Sequence, residues 1–278
     1  MLAALIIVFR EVFEAGLIVG IVLAATRGVA GSSWYVAGGV LAGAAAACIA
    51  AMFAGALSAA FEGIGQELFN AAILGVAVVM LTWHNVWMGR HGRELAAEMR
   101  AAGEAVVSGK STLAALAVVV GVAVLREGVE VVLFLYGVAA SEAGSGAAIL
   151  AGGLAGLVLG AGVCALTYFG LLKIPSRHLF TVTSVMIAFL AAGMAAQAIG
   201  FLEQANVVTA FDTVVWDSSW VLSDRSVPGR ALHTLIGYND QPTAMQLAVY
   251  LATLLIIFVL MKLFAPPATS KRDATARA

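Results

Sequence analysis

Seven long apolar stretches constrain this chain more than any other feature of its sequence. A helix needs about 17–25 apolar residues to cross the hydrocarbon core of a bilayer, and each stretch reaches that length. They occupy residues 2–26, 34–60, 68–88, 112–140, 146–172, 179–202 and 244–265. The chain is 62% hydrophobic and 11% charged, whereas soluble domains are roughly 45–50% apolar and 25% charged. We therefore expect an all-α polytopic membrane protein with seven transmembrane helices.

The basic residues are divided unequally between the two sides of such a bundle. With seven crossings, the odd-numbered loops and the C-terminus share one side, which holds eleven of the 15 Lys and Arg residues. The opposite side holds only Arg225 and Arg230, and it collects eight acidic residues. Cytoplasmic loops carry the excess of Lys and Arg in membrane proteins. The N-terminus is therefore expected outside and the C-terminus in the cytoplasm.

Three ionisable residues interrupt the first apolar stretch. On a helix Glu14 lies about 40° from Arg10 and about 60° from Glu11, so the three side chains share one face. A charged residue at mid-membrane costs about 2.5–3.5 kcal/mol even on the gentler insertion scales, and three facing lipid would cost roughly 8–10 kcal/mol. We therefore expect this face to point into the helix bundle.

The same R-E-x-x-E pattern recurs 116 residues later, at Arg126, Glu127 and Glu130 in the fourth stretch. Other matches lie at nearly the same offset, among them Cys48 and Cys164. These matches predict two three-helix repeats, and because three is odd, the second repeat is inverted in the membrane. Many secondary transporters have inverted repeats, with substrate sites near the midplane where the repeats meet.

The repeat predicts how the chain is organised. The first repeat covers residues 1–88, a cytoplasmic linker with a short charged helix covers 89–111, and the inverted repeat covers 112–202. An outer loop at 203–243, a seventh transmembrane helix at 244–265 and a cytoplasmic tail at 266–278 complete the chain. The runs "GGVLAGAAAACIAA" and "GGLAGLVLGAG" have little bulk, so we expect helix backbones to approach closely there.

Joining the two motif faces would assemble four carboxylates and two guanidiniums. The formal surplus of two negative charges suits a multivalent cation, and oxygen ligands favour hard metal ions. The alternative is that each Arg forms a buried structural bridge with its own Glu. We favour a combination, in which Arg10 and Arg126 hold the carboxylates in position and compensate their charge when no cation is bound.

These residues resemble a known family. The paired R-E-x-x-E stretches are similar to the R-E-G-L-E motifs of the high-affinity iron permeases, found in fungi beside a multicopper ferroxidase and in bacteria as the permease of elemental-iron uptake systems. The likeness extends through "FEGIGQELFNAAILG", "TWHNVWM" and "VVWDSSWVLSDRSVPGRALHTLIGY", so it covers nearly the whole chain. The first copy departs from the pattern because Val12-Phe13 replaces Gly-Leu, whereas the second keeps Gly128.

The resemblance implies an iron permease without enzymatic activity, in a bacterial inner membrane. Its substrate would be ferric iron, or ferrous iron oxidised as it enters, and no organic cofactor is expected. The implied intramembrane ligands are Glu11, Glu14, Glu127 and Glu130, with Arg10 and Arg126 as charge partners. Implied partners, besides the iron ion and the lipid bilayer, are a ferroxidase, a peroxidase or a periplasmic iron-binding protein, with no role for nucleic acid.

Acidic residues on the outer side form a second candidate region. Glu62 and Glu67 lie in the turn before the third stretch, and Asp212, Asp217 and Asp224 lie in the outer loop. Either they capture iron before it crosses or they are solvated loop charges, and both interpretations stay open. The segment "WDSSW" in this loop predicts a short amphipathic helix anchored at the outer surface by its tryptophans.

Four other residues within the apolar stretches have either a structural or a functional role. His84 is the one histidine inside the apolar stretches, and we favour a hydrogen-bonded packing role over metal ligation. Gln197 suits hydrogen bonding between helices as well as lining of a pathway. Cys48 and Cys164 are predicted to be packing residues.

Two further function classes stay open. A proton-coupled transporter of another metal or solute would relay protons through the motif glutamates, with the guanidiniums binding an anion. A membrane haem oxidoreductase would need histidines paired across helices, and His84 has no such partner. The chain has no phosphate-binding glycine loop, so direct drive by ATP is not expected.

Overall fold

The fold is a bundle of long helices. The computed structural model describes residues 1–60, 66–141, 146–170, 176–224 and 226–264. Within these ranges the chain forms eight helices: α1 (Leu2–Ala25), α2 (Ser32–Ala60), α3 (Gln66–Val107), α4 (Leu113–Ser141), α5 (Gly146–Tyr168), α6 (Ser176–Gln204), α7 (Val227–Ile236) and α8 (Ala244–Leu263). The single β-type pairing among these residues is an isolated bridge between Val214 and Thr243.

Most of the long helices are apolar enough to cross a membrane. Among the described residues, five qualify by length and composition, and they belong to α2, α3, α5, α6 and α8. Helices α1 and α4 differ from these because each carries the three charged residues of its motif. The chain is therefore an all-helical membrane protein. Helices α1 to α6 and α8 coincide with the seven predicted stretches, whereas membrane crossing by α1 and α4 stays a prediction.

Small residues allow two pairs of helices to pack in close contact. Helix α4 packs along α2, and α1 packs along α5. A Cβ atom added to Gly43 would lie 2.5 Å from the carbonyl oxygen of Gly121, and one added to Gly156 would lie 2.6 Å from the carbonyl oxygen of Leu5. Neither position has room for a side chain, so the expected close backbone approach is confirmed.

The departure of the first motif from the family pattern has a counterpart across this packing. In the second copy, a Cβ atom at Gly128 would lie 2.5 Å from the Cβ of Ala47 on α2. In the first copy, Val12 occupies the corresponding position, and its partner on α5 is Gly160. The glycine thus lies on the motif helix in the second copy and on the facing helix in the first copy, so α4 packs closely on α2 and α1 packs closely on α5.

Two buried apolar clusters lie on either side of the motifs along the helices. The first cluster includes Ile7 on α1, Leu74 and Leu81 on α3, Phe134 and Val138 on α4, and Met194 on α6. The second includes Ile18 and Val22 on α1, Val36 on α2, Met99 on α3, and Leu116 and Val120 on α4. On both α1 and α4, the charged motif falls between the residues of the two clusters. The motifs are therefore bordered by apolar side chains in both directions along the helices.

The predicted linker helix is not separate from the third stretch. Helix α3 continues from Gln66 to Val107 without a break, because the linker has no proline and is rich in Ala, Glu and Arg, which are strong helix formers. Met99 packs into the second apolar cluster. A Cβ atom at Gly103 would lie 2.6 Å from the Cβ of Ala25, so this extension also packs against the end of α1.

The loop between α6 and α8 is folded onto the ends of these two helices. The prediction of a helix at "WDSSW" is wrong, because these five residues are extended or in a turn. The carboxylate of Asp217 accepts hydrogen bonds from the amide and the hydroxyl of Ser219, and the amide of Ser218 donates to the carbonyl of Asp240. These bonds offer the backbone partners other than those of a helix.

We expect Gly156→Ala to destabilise the protein, because a methyl group there meets the backbone of α1. Overpacking of this kind costs about 1–3 kcal/mol. Gly162→Ala on the same helix is the matched control, since its Cβ would have no atom within 4 Å, and Ala favours helix by about 0.5–1 kcal/mol. Thermal unfolding in detergent measures both variants, and equal stabilities would contradict the close packing of α1 on α5.

Candidate metal centre

The structure brings both R-E-x-x-E motifs together in the bundle interior. Potential ligand atoms of Glu11, Glu127, Glu130 and His84 all lie within 4.8 Å of one another. Among the described residues this is the one group of three or more His, Cys, Asp or Glu side chains with such spacing. Three helices supply it, because Glu11 lies on α1, His84 on α3, and both Glu127 and Glu130 on α4.

The arginine makes the same contact in each copy of the motif. The Nε atom of Arg10 lies 2.9 Å from Oε1 of Glu14, and Nε of Arg126 lies 3.1 Å from Oε1 of Glu130. Both pairs have i, i+4 spacing, which places their side chains side by side on a helix. Each arginine thus forms an ion pair with the second glutamate of its own motif. The contact of Arg126 with Glu130 is also a hydrogen bond, whereas Nε of Arg10 and Oε1 of Glu14 have no hydrogen-bond partner in the described residues.

The glutamates of both motifs keep buried oxygens without hydrogen-bond partners. In the described part of the chain, neither carboxylate oxygen of Glu11 or Glu14 has such a partner, and the same is true of Oε2 of Glu127 and Oε2 of Glu130. Oε1 of Glu11 lies 3.7 Å from Nη1 of Arg10, which is farther than the 2.9 Å between Arg10 and Glu14. Buried polar atoms without partners are costly. A bound cation would satisfy these oxygens.

The two copies differ in their exposure. Arg10 and Glu14 on α1 are each 1% exposed, whereas the side chains of Arg126 and Glu130 on α4 are 38% and 12% exposed. The first glutamates, Glu11 and Glu127, are buried in both copies. The guanidinium of Arg126 also stacks over the ring of Trp87 on α3, 4.3 Å from its centroid. The first motif is therefore sealed inside the bundle, and the second lies nearer to its surface.

His84 lies among the glutamates, where sequence reasoning had favoured a packing role. Its Nε2 atom is 3.7 Å from Oε2 of Glu11 and 3.4 Å from Oε2 of Glu14, and its Nδ1 atom contacts Oε2 of Glu130. One signal for this position was present in the sequence. An ionisable side chain at membrane depth must face the bundle interior, as the motif residues do.

The predicted outer capture residues do not gather at one point. Glu62 lies outside the described residues, and Glu67 is exposed in the first turn of α3. Asp212 and Asp217 are exposed. Hydrogen bonds from the hydroxyl and the amide of Ser219 lower the pKa of Asp217 below its ordinary value, so this carboxylate stays charged in mildly acidic surroundings.

Asp224 is half-buried and lines a cavity at the loop between α6 and α8. The cavity has a volume of about 390 Å³ and lies between α6, α7 and α8. Gln197 and His233 also line it, so the structure places Gln197 at a cavity rather than wholly inside helix contacts.

Neither cysteine is in a disulfide. Cys164 is partly buried and donates a hydrogen bond from its Sγ to the carbonyl of Phe13, 3.4 Å away, as expected of a packing residue. Cys48 is exposed on the surface of the helix bundle.

Comparison with known proteins gives a consistent result over the full chain. The sequence profile described as the "Iron permease FTR1 family" matches residues 1–271. The "Ferrous iron permease EfeU" of Yersinia pestis is 34% identical over 283 residues, covering 100% of this chain and 98% of the relative. Proteins of the same name are 32% identical in Escherichia coli O6:K15:H31, covering 94% and 96%, and 31% identical in Shigella sonnei, covering 99% and 100%. No solved structure matches the chain.

We expect Arg10→Gln to destabilise the protein more than Arg126→Gln. Arg10 is 1% exposed and contacts two glutamates, and removing one partner of a buried ion pair costs about 3–5 kcal/mol. Arg126 is 38% exposed, and Glu130 keeps its contact with His84. Thermal unfolding of the two purified variants tests this order, and an equal or greater loss in Arg126→Gln would contradict it.

Proposed function

Because this chain belongs to the iron permease FTR1 family, we propose that it imports Fe²⁺ through an intramembrane site formed by its two R-E-x-x-E motifs. It is a multi-pass membrane protein and a transporter, not an enzyme. The observation that carries the proposal is the meeting of Glu11, Glu127, Glu130 and His84 within 4.8 Å. Apolar clusters border both motifs in each direction along α1 and α4.

Charge balance supports a divalent substrate. The four motif glutamates and two motif arginines leave a formal charge of −2, which one Fe²⁺ ion neutralises. The relatives are themselves named ferrous iron permeases. A membrane potential of 100 mV, negative inside, would favour the movement of two charges inward by about 4.6 kcal/mol.

The two glutamates of each motif have different roles in this proposal. Arg10 and Arg126 hold Glu14 and Glu130, at 2.9 and 3.1 Å. Glu11 and Glu127 are the main ligands, because both belong to the four-residue group with His84, whereas Glu14 does not. Glu130 joins them, since it also belongs to the four-residue group.

We further propose the inverted 3+3 repeat with a seventh helix, and an N-terminus outside the cell. Exchange of the repeats would replace α1 by α4, α2 by α5 and α3 by α6. The packing of α1 along α5 and of α4 along α2 is what such an exchange requires. The paired contacts of Gly43 with Gly121 and of Gly156 with Leu5 support the same relation.

The outer acidic residues are proposed to collect iron before it crosses. Glu62, Glu67, Asp212, Asp217 and Asp224 would receive it from a ferroxidase, a peroxidase or a periplasmic iron-binding protein. The excess of carboxylates on the predicted outer side supports this role. Asp224 is the favoured member, because it lines the cavity between α6, α7 and α8.

We expect Glu11→Gln and Glu127→Gln each to reduce iron uptake at least tenfold. Each variant removes one charged ligand while keeping the size of the side chain. Uptake of labelled Fe²⁺ into proteoliposomes, with an inward-negative potential, measures the effect.

Glu98→Gln is the matched control, because Glu98 is exposed on the extension of α3 away from the motifs. It should transport at the wild-type rate. Normal uptake by folded Glu11→Gln and Glu127→Gln would show that the motifs form a structural bridge and not the iron site.

We expect Asp224→Asn to raise the half-saturating iron concentration about two- to fivefold without changing the maximal rate. A capture residue increases the local concentration of cations at the outer face but does not take part in crossing. Uptake measured over a range of Fe²⁺ concentrations separates the two parameters. A lower maximal rate at unchanged half-saturation would argue against a capture role.

A further inference from the structure

We propose that His84 is a ligand of the intramembrane iron site and gives the site its preference for Fe²⁺ over Mg²⁺ and Ca²⁺. This inference rests on the proposed function and deepens it. Carboxylates alone would offer only oxygen, which is the donor that Mg²⁺ and Ca²⁺ also prefer. An imidazole nitrogen favours iron and its neighbours in the transition series instead.

The position of His84 supports ligation. It is 3% exposed on α3, outside both motifs, and it contacts glutamates of both. A metal ion with bonds of about 2.1 Å separates opposite ligand atoms by about 4.2 Å. The ligand atoms of Glu11, His84, Glu127 and Glu130 lie within 4.8 Å of one another, so a small contraction would bring all four onto one ion.

The surroundings of the ring satisfy a second requirement of a histidine ligand. Metal-binding histidines almost always donate their other N–H group to a carboxylate, a carbonyl or water, which fixes the ring. Here Nδ1 faces Glu130, and Nε2 faces Glu11 and Glu14. Whichever nitrogen binds the metal, the N–H group of the other faces a carboxylate that can accept its hydrogen bond. The edge contact with Phe134, at 6.3 Å between centroids, restricts the ring further.

His84 also makes the site asymmetric. The offsets of 111 to 116 between matching positions of the repeats place the counterpart of His84 among residues 195–200 of α6. This segment, "AAQAIG", contains no His, Cys, Asp or Glu. The two motifs thus supply the carboxylates in pairs, whereas a single nitrogen donor comes from α3.

The first experiment asks whether nitrogen binds the metal in the wild-type protein. The full-length protein in detergent is loaded with Mn²⁺ as a paramagnetic substitute for Fe²⁺ and studied by pulsed EPR. We expect modulation from a directly bound imidazole ¹⁴N, which changes to the ¹⁵N pattern after labelling of histidine with ¹⁵N. The absence of histidine modulation from bound Mn²⁺ would overturn the inference, and this result does not depend on the folding of any variant.

The second experiment measures selectivity. Binding of labelled Fe²⁺ is competed with Mg²⁺, Ca²⁺ and Co²⁺ in wild type, His84→Asn and His91→Asn. We expect His84→Asn to weaken Fe²⁺ and Co²⁺ binding at least tenfold, to leave Mg²⁺ and Ca²⁺ binding within about twofold, and to lose the EPR modulation. His91→Asn is the matched control, because His91 is on the same helix, is 33% exposed and bonds to the carbonyl of Trp87.

The outcomes separate this inference from the proposed function. If folded wild type binds no Fe²⁺, or if Glu11→Gln and Glu127→Gln bind it normally, the proposed iron site is wrong. If those variants lose Fe²⁺ while His84→Asn keeps the wild-type preference for Fe²⁺ over Mg²⁺, the iron site stands and the role of His84 is wrong.

Discussion

The presence of two arginines and four glutamates in two otherwise apolar helices is the constraint on which the rest of this structure depends. Charged side chains in lipid cost several kcal/mol each, so both R-E-x-x-E faces must turn inward and toward each other. The small residues of α2 and α5 allow this, because they let α4 and α1 approach to backbone contact. Apolar clusters then close the bundle on either side of the charges. The result is a cluster of carboxylates in the bundle interior that is bordered by apolar side chains.

The two motifs are alike in their internal pairing and different in their surroundings. Each arginine holds the second glutamate of its copy, but Arg10 is buried, whereas Arg126 is partly exposed and stacks on Trp87. In the second copy the glycine at the helix contact is Gly128 on α4, and in the first copy it is Gly160 on α5, which packs against Val12. Both helix pairs therefore remain in close contact.

The local sequence pattern predicts some contacts and secondary structure of this protein correctly and others wrongly. Spacing on a helix was sufficient to place Arg10 beside Glu14, because that contact depends only on i, i+4 geometry. The same reasoning predicted a helix from Trp216 to Trp220, and this prediction is wrong. The backbone of Ser218 bonds instead to the carbonyl of Asp240, which is more than twenty residues away. The sequence did not predict that His84 lies among the glutamates. These glutamates lie on α1 and α4, and no periodicity within α3 indicates them.

The sequence by itself therefore determined the helices, their apolar surfaces, the inward direction of both motifs and the family. Each of these follows from hydrophobicity, from local helix geometry or from similarity along the chain. Only the tertiary structure decided that His84 joins the glutamates and that Arg126 is more exposed than Arg10. These features depend on contacts between residues some 40 to 120 positions apart, and such contacts are set by how the helices pack, which no single stretch of sequence specifies.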